Sequence, residues 1–490
     1  MRNNRTKLFL ENFFVYGLGS ILAKIAPVIM LPIVTRLMPD TFYYGLSDLS
    51  NIAVTFGSAI AIMGMYDAMF RMFFERDELE YKKEVCSSAF SYVLFSGIII
   101  CIMLFIFKSY FSVLIFNDEK YANLLNFTAV SILISALSSI VVAPTRMENR
   151  RKIFVVTSTI SPIIGYSVSI PMLLNENYLY ALPTAALVTS GIMLVFFYGL
   201  NRRWFVFNKT KLPLIKEMLK IGAPLLLGVV IYWIFTSCDR LMISKLLGNS
   251  FVGIYGIGAR VASVSQFIYA AFAGGWQYFA FSTMKDSDQV ELTSKIFEYL
   301  ALVSFSAFVV ILPFAHFIFE LFFTGDYVEG YIVFPYLFLS PLLLMLYQTV
   351  ANQFLVIKKT WPSSLILMMG AIVNLVLNYF LINTIGIEGA AIATLLGYAA
   401  SVIMSVIVLT KMNLVRIGKR MLIMSAVLVL FIILWRLISP INIYPAILLA
   451  LPTLIIFGYL YRQDIRIIYR KGISFFETKK KAENVYTDGQ

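Results

Sequence analysis

Long apolar runs separated by short polar connections fill the chain from end to end. A helix needs about 20 apolar residues to cross the hydrocarbon core of a membrane. Runs of that length predict helices near 12–36, 46–66, 88–107, 124–144, 153–174 and 179–200. A second set lies near 220–243, 250–276, 295–322, 331–354, 361–383 and 387–409, and two more near 420–438 and 442–461. The total is about 14 spans. Run length favours helices over barrel strands, which would alternate in polarity over about 10 residues. The expected fold class is therefore all-α and integral to the membrane.

Composition agrees with that pattern. Hydrophobic residues make up 60% of the chain and charged residues 14%, against about 45–50% and 25% in soluble domains. The net charge of +13 could suggest nucleic acid, but its placement gives a simpler reading. Lys and Arg gather at the front (Arg2, Arg5, Lys7) and in alternate loops, such as Arg146–Lys152 and Arg202–Lys220. The intervening loops hold few. This is the positive-inside pattern of an even number of spans with both termini in the cytoplasm. No nucleic-acid partner is expected, and the basic tail reads as solvated or facing lipid headgroups. The first segment is too long for a signal peptide and reads as a permanent helix. Cys86, Cys101, Cys238 and the single His316 form no disulfide framework or metal site by spacing.

The chain also repeats itself. "TRLMPDTF" from Thr35 matches "SKLLGNSF" from Ser244 in residue type, 209 positions later. The basic pair Arg150-Arg151 precedes Lys358-Lys359 by 208 positions. Both pairs of matches fall at equivalent loops if the chain is a duplicated six-helix bundle. The expected organisation is one bundle over 1–205, a second over 206–412, two further helices over 413–465 and a basic tail over 466–490. Six is even, so the two bundles are parallel, with a path for substrate between them. Similar loops selected by charge bias alone are the competing reading.

Three stretches carry a family resemblance. Asn12–Leu46 resembles the opening of bacterial polysaccharide transporters, the oligosaccharide-lipid flippases of the O-antigen type. Gly64–Glu75 is similar to the end of their second helix, and Leu219–Val264 to their seventh and eighth. In the last stretch the likeness rests on Gly222-Ala223-Pro224, Asp239-Arg240 and Gly253-Ile254-Tyr255. The family belongs to the multidrug/oligosaccharidyl-lipid/polysaccharide exporter superfamily. The resemblance implies an undecaprenyl diphosphate-linked oligosaccharide as cargo, carried outward by alternating access for cell-surface polysaccharide synthesis. It also implies membrane lipids and the polysaccharide polymerase machinery as partners, and a groove for the lipid tail beside the last two helices.

The charges inside the spans can be weighed against such a cargo. Intramembrane charge is costly and marks function by default. Lys24 and Arg260 each lie roughly half-way along their helices, the first helix of one bundle and the second of the other. Both can face one cavity, and both are the expected diphosphate contacts: Arg as a bidentate clamp, Lys as a point charge. For Lys24, snorkelling or a salt bridge to Asp67 or Asp239 stays open. Asp67 and Arg71 are spaced for a local ion pair, and Asp239 and Arg240, being adjacent, are expected to pair across helices. These four are candidate gate or ion-coupling residues, with packing salt bridges as the plainer alternative. Arg36 and Lys245 read as interfacial anchors. Tyr232 and Trp233 are candidates to stack on sugar, or simply core aromatics. Pro27 and Pro32 are expected to kink the first helix.

No Walker loop, no credible catalytic triad and no long extracytoplasmic loop is present in the sequence. The expectation is a transporter with no catalytic residues and no cofactor. A multidrug antiporter of the same superfamily competes with it, though Lys24 and Arg260 would repel cationic drugs. A membrane polymerase or ligase acting on lipid-linked sugars is the third reading.

Overall fold

In a bilayer core every backbone N–H and C=O must find its partner within the segment, which leaves helices as the spanning element for runs of this length. The computed structural model describes residues 26–269, 272, 276, 287–359, 361–438 and 442–466, and its spans are helical throughout. Thirteen helices among the described residues are long and apolar enough to cross a membrane. A shorter apolar helix, α1 (Ala26–Leu37), precedes them. The chain is a multi-pass all-α membrane protein.

Two compact units divide the chain. The first draws on Met1–Thr283 and Ile318–Ser405, the second on Met284–Phe317 and Val406–Gln490. In the first unit, α2 (Thr41–Ile62) begins where the Asp40 side chain accepts the Phe42 N–H at 2.8 Å. That is an N-cap satisfying one of the helix's orphan donors. The start lies five residues before the predicted run, and Ser47, Asp48, Ser50 and Asn51 line a cavity from within the helix. Met63 and Gly64, at φ 46° and 70°, end α2 and redirect the chain into α3 (Met65–Phe73). A Cβ at Gly64 would lie 2.3 Å from the Gly222 carbonyl oxygen, so the turn needs glycine for space as well as for conformation.

Helices α4 (Leu79–Ile106), α5 (Lys108–Phe116), α6 (Ala122–Met147), α7 (Arg151–Leu174) and α8 (Tyr178–Asn201) follow. Helix α6 packs against α2, α4 and α8. The polar stretch after α8 is an ordered strap. It forms two short 3₁₀ turns, Arg202–Trp204 and Phe207–Lys209. The strap is tied to α4: Ser87 donates to the Trp204 carbonyl at 3.2 Å and accepts the Val206 N–H at 2.9 Å. Ser88 accepts the Lys211 N–H at 2.9 Å.

Next, α9 (Leu212–Trp233) starts eight residues before its apolar run, so Pro224 sits inside the helix rather than opening it. A π-helical turn, Ile234–Cys238, joins α9 to α10 (Asp239–Leu246). Helix α11 (Asn249–Ala262) continues through a 3₁₀ turn to Tyr269.

The α2–α11 crossing is reciprocal. A Cβ at Gly45 would lie 2.0 Å from the Asn249 carbonyl oxygen, and a Cβ at Gly253 would lie 2.0 Å from the Thr41 carbonyl oxygen. Gly253 and Asn249 stand 208 positions after Gly45 and Thr41, the offset of the basic-pair repeat. The two backbones therefore touch at the end of the unit where both helices begin. That end is tied further by Asn249, which donates to the Phe116 carbonyl at 2.8 Å, and by Tyr327, which donates to the Asp40 carbonyl at 3.2 Å.

The second unit contains α12 (Gln289–Ile311), and also α17 (Lys419–Ile438) and α18 (Ile443–Leu460). Its polar fastening is internal: Glu298 accepts the Gly418 N–H at 3.0 Å. Asp464 accepts from the Tyr299 hydroxyl at 2.8 Å and from Arg420 at 2.7 Å. In sequence, α13 (Ala315–Phe322), α14 (Phe334–Val356), α15 (Trp361–Ile385) and α16 (Ile387–Lys411) follow α12 and precede α17. On α16, Gly397 and Ser401 meet Gly370 of α15 at near-contact distance, so these small residues serve helix packing.

Candidate functional site

Small and polar side chains on the inner faces of α2, α10 and α11 leave a cavity of about 560 Å³. It is walled by α2 on one side and by α9–α11, α14 and α16 on the other, all within the first unit. A second space of about 340 Å³ opens between α2, α6, α7 and α8. The two share Pro27, Asp48, Asn51 and Arg260, so these residues stand at the junction.

The π-turn sets up the charged wall. Its wide turn shifts the register of the residues that follow, and Asp239 and Arg240 enter the cavity from one helix. Asp239 is buried and accepts from the Tyr255 hydroxyl of α11. Arg240 reaches α2, with Nε 2.8 Å from Asp48 Oδ2. That approach is an ion contact rather than an aligned hydrogen bond. Its Nη1 donates to the Thr236 carbonyl at 2.5 Å, and its guanidinium lies 5.6 Å from the centre of the Tyr255 ring. Arg240 is thus held on several sides.

Arg260 differs. Its side chain is exposed to the cavities, and it makes no ion pair with an acid among the described residues. The buried Tyr44 hydroxyl lies against it. Asp48 also acts on it electrostatically, but that carboxylate is engaged by Arg240. A guanidinium with a neutral partner and an open side is a donor fork for an anionic oxygen.

Of the residues singled out from sequence, Arg260, Asp239 and Arg240 come together here. Lys24 lies outside the described residues. Asp67 and Arg71 sit away from the cavity on α3, both exposed, and neither makes an ion pair among the described residues. The expected i, i+4 clamp is not formed. Partial desolvation holds the Asp67 carboxyl above the ordinary carboxylate value. Arg36 and Lys245 are exposed at the end where α2 and α11 begin. Tyr232 lines the cavity, whereas Trp233 packs on Phe56 with ring centres 4.4 Å apart. Tyr398 and Phe235, stacked with ring centres 4.1 Å apart, also line the cavity.

Sequence reasoning passed over Asp48. The signal was available: an acid inside an apolar run, with Ser47, Asn51 and Thr55 within two turns of it. It was hidden because the span was expected to begin at 46, which places Asp48 at a membrane boundary.

A family profile described as "Polysaccharide biosynthesis protein" matches residues 33–331. No curated protein sequence matches the chain. Among solved structures, the chain is similar to a lipid II flippase, MurJ, in an inward closed conformation. The TM-score is 0.69 at 17% identity, over 94% of this chain and 99% of that one. It is also similar to an inward-facing multidrug resistance transporter of the MATE family of the MOP superfamily, with a TM-score of 0.58 at 15% identity, over 80% and 97%. The Vibrio cholerae MATE transporter VcmN, in a mutant form, gives 0.54 at 12% identity, over 84% and 99%. At these identities the likeness is one of fold, that of flippases and transporters of the MOP superfamily.

Proposed function

Since the chain belongs to the polysaccharide biosynthesis protein family, we propose that it flips an undecaprenyl diphosphate-linked oligosaccharide from the cytoplasmic to the outer face of a bacterial inner membrane. The observation that carries this reading is Arg260: an unpaired guanidinium facing a cavity walled by α2 and by α9–α11. A diphosphate brings the negative charge this group lacks, and Lys24 is the second cation we assign to it. Six-helix halves rocking about the α2–α11 contact would expose the cavity to each face in turn. The distribution of Lys and Arg supports cytoplasmic termini and puts the closed α2–α11 end at the outer face. Asp239 and Asp67 are the candidate ion-coupling groups: one is buried in the cavity wall, and partial desolvation raises the carboxyl of the other.

A second reading has one specific support. Asp48 lines both cavities, and buried carboxylates suit a transporter of cationic drugs. In such a transporter Arg260→Gln would improve or spare export, because it removes a repulsive charge. In a diphosphate flippase the same change is expected to abolish rescue of a deletion strain, with lipid-linked oligosaccharide accumulating on the cytoplasmic face. Full rescue by Arg260→Gln at normal protein levels would overturn the flippase reading.

A further inference from the structure

A third cavity, of about 400 Å³, continues the charged one along the same two helices. On the α11 extension, Ser263 and Gln266 line the charged cavity, while Tyr269 lines this one. On α14, Leu344 lines the first, and Gln348 and Asn352 line the second. Successive turns of one face therefore serve both spaces. From Arg260 to Tyr269 the helix advances about 14 Å at about 1.5 Å per residue.

The chemistry of the two spaces is different. Among the described residues, the third cavity has no charged side chain in its lining. It offers aromatic rings and neutral polar groups. Gln348 is exposed on a helix whose other residues are mostly buried. Tyr269 donates to Gln348 Oε1 at 2.7 Å, which fixes the carboxamide and leaves its amide hydrogens to donate. Asn352, one turn on, has no hydrogen-bond partner among the described residues, and neither has Ser364. The Tyr347 hydroxyl is used on the Ser363 carbonyl at 2.5 Å, so that residue presents its ring. Phe272 and Trp276 add a stacked pair with centres 5.4 Å apart.

Amide donors, one of them fixed, beside flat apolar rings match a ligand that is neutral, dense in hydroxyls and apolar on its ring faces. A lipid tail fits poorly, because it would bury the amides without hydrogen-bond partners. A diphosphate fits poorly, because nothing there balances its charge. We propose that this cavity is a subsite for neutral sugar rings of the cargo oligosaccharide, separate from the diphosphate contact at Arg260. The proposal rests on the flippase reading above.

The test uses the full chain in lipid nanodiscs and two probes: undecaprenyl diphosphate alone, and the lipid-linked oligosaccharide extracted from the source cells. Gln348→Leu with Asn352→Leu is expected to weaken binding of the sugar-bearing lipid about tenfold and to leave the bare diphosphate lipid unchanged. Arg260→Gln is expected to weaken both. Ser364→Ala, on the exposed rim, gives a milder test of about threefold where the double variant does not fold. Equal weakening of both probes, or of neither, overturns the subsite. Wild-type protein that fails to bind the bare lipid, or an Arg260→Gln variant that binds it normally, overturns the diphosphate reading instead.

Discussion

Replacing Asp48 with Asn removes one member of the ion pair that ties α2 to α10. The two side chains approach to 2.8 Å with relative exposures of 16% for Arg240 and 9% for Asp48. With charge centres about 4 Å apart and an effective dielectric of about 20, the attraction is about 4 kcal/mol. Desolvation offsets much of that in forming the pair. It does not fall when one partner is deleted, so breaking such a pair costs about 3–5 kcal/mol. The Asn amide still accepts a hydrogen bond, which puts the expected loss near the lower end, about 3 kcal/mol. For a chain of 490 residues, an unfolding entropy of about 2.1 cal/mol/K per residue makes 1 kcal/mol worth about 1 °C. Asp48→Asn should therefore lower Tm by about 3 °C in nanodiscs, read by intrinsic fluorescence. Asp48→Leu combined with Arg240→Met, which leaves no orphan charge, should recover most of that loss. A shift under about 1 °C for Asp48→Asn would refute the reasoning. It would mean that water in the cavity solvates Arg240 and that the pair is worth no more than an exposed one.

Further outcomes follow from other contacts. Gly253→Ala places a Cβ 2.0 Å from the Thr41 carbonyl oxygen and must part α2 from α11. A Tm loss of about 1–3 °C and impaired transport are expected, whereas Gly191→Ala, with nothing within 4 Å, should be silent. Identical behaviour of the two variants would refute the close crossing. At Asp464, burial works to raise the carboxyl, but the Tyr299 hydroxyl and the Arg420 guanidinium hold it below its ordinary value. Its folded pKa is depressed, so its stabilisation is present above the unfolded value of about 3.9 and is lost as pH falls through the folded value. Asp464→Asn should thus lower Tm at neutral pH and converge with wild type in strong acid; a constant difference across pH would contradict the linkage. Asp67 has the opposite sign, its carboxyl being raised by desolvation. Asp67→Asn should raise Tm slightly at pH 7 and lose that advantage below about pH 4, and destabilisation at pH 7 would contradict it.

Much of the fold was legible in the apolar runs, because a span must be both long and helical to hide its backbone from lipid. The misjudged boundaries share one cause. Thr41 and Gly45 on α2, and Lys216 and Glu217 on α9, read as connection although they lie inside helices. Hydropathy cannot separate a polar residue facing a cavity from one in a connection. Arg260 was legible as a charge deep in a span with no acid a turn away. Its partner Tyr44 and the Asp48–Arg240 pair were not, since both depend on which helices cross. The π-turn at Ile234–Cys238 has no residue signature, yet it orients Asp239 and Arg240. The order of the strap after α8 was not legible, because its fastenings, Ser87 and Ser88, lie more than a hundred positions away.

The central claim, that Arg260 meets an anionic headgroup inside the protein, is tested most directly by reconstituted flipping. Proteoliposomes carrying the full chain and a labelled undecaprenyl diphosphate-linked oligosaccharide would report the fraction of label reaching the opposite leaflet. Wild type is expected to flip the lipid, Arg260→Lys to retain part of the rate, and Arg260→Gln to lose at least tenfold, the equivalent of about 1.4 kcal/mol. Arg260→Gln flipping at the wild-type rate would contradict the account.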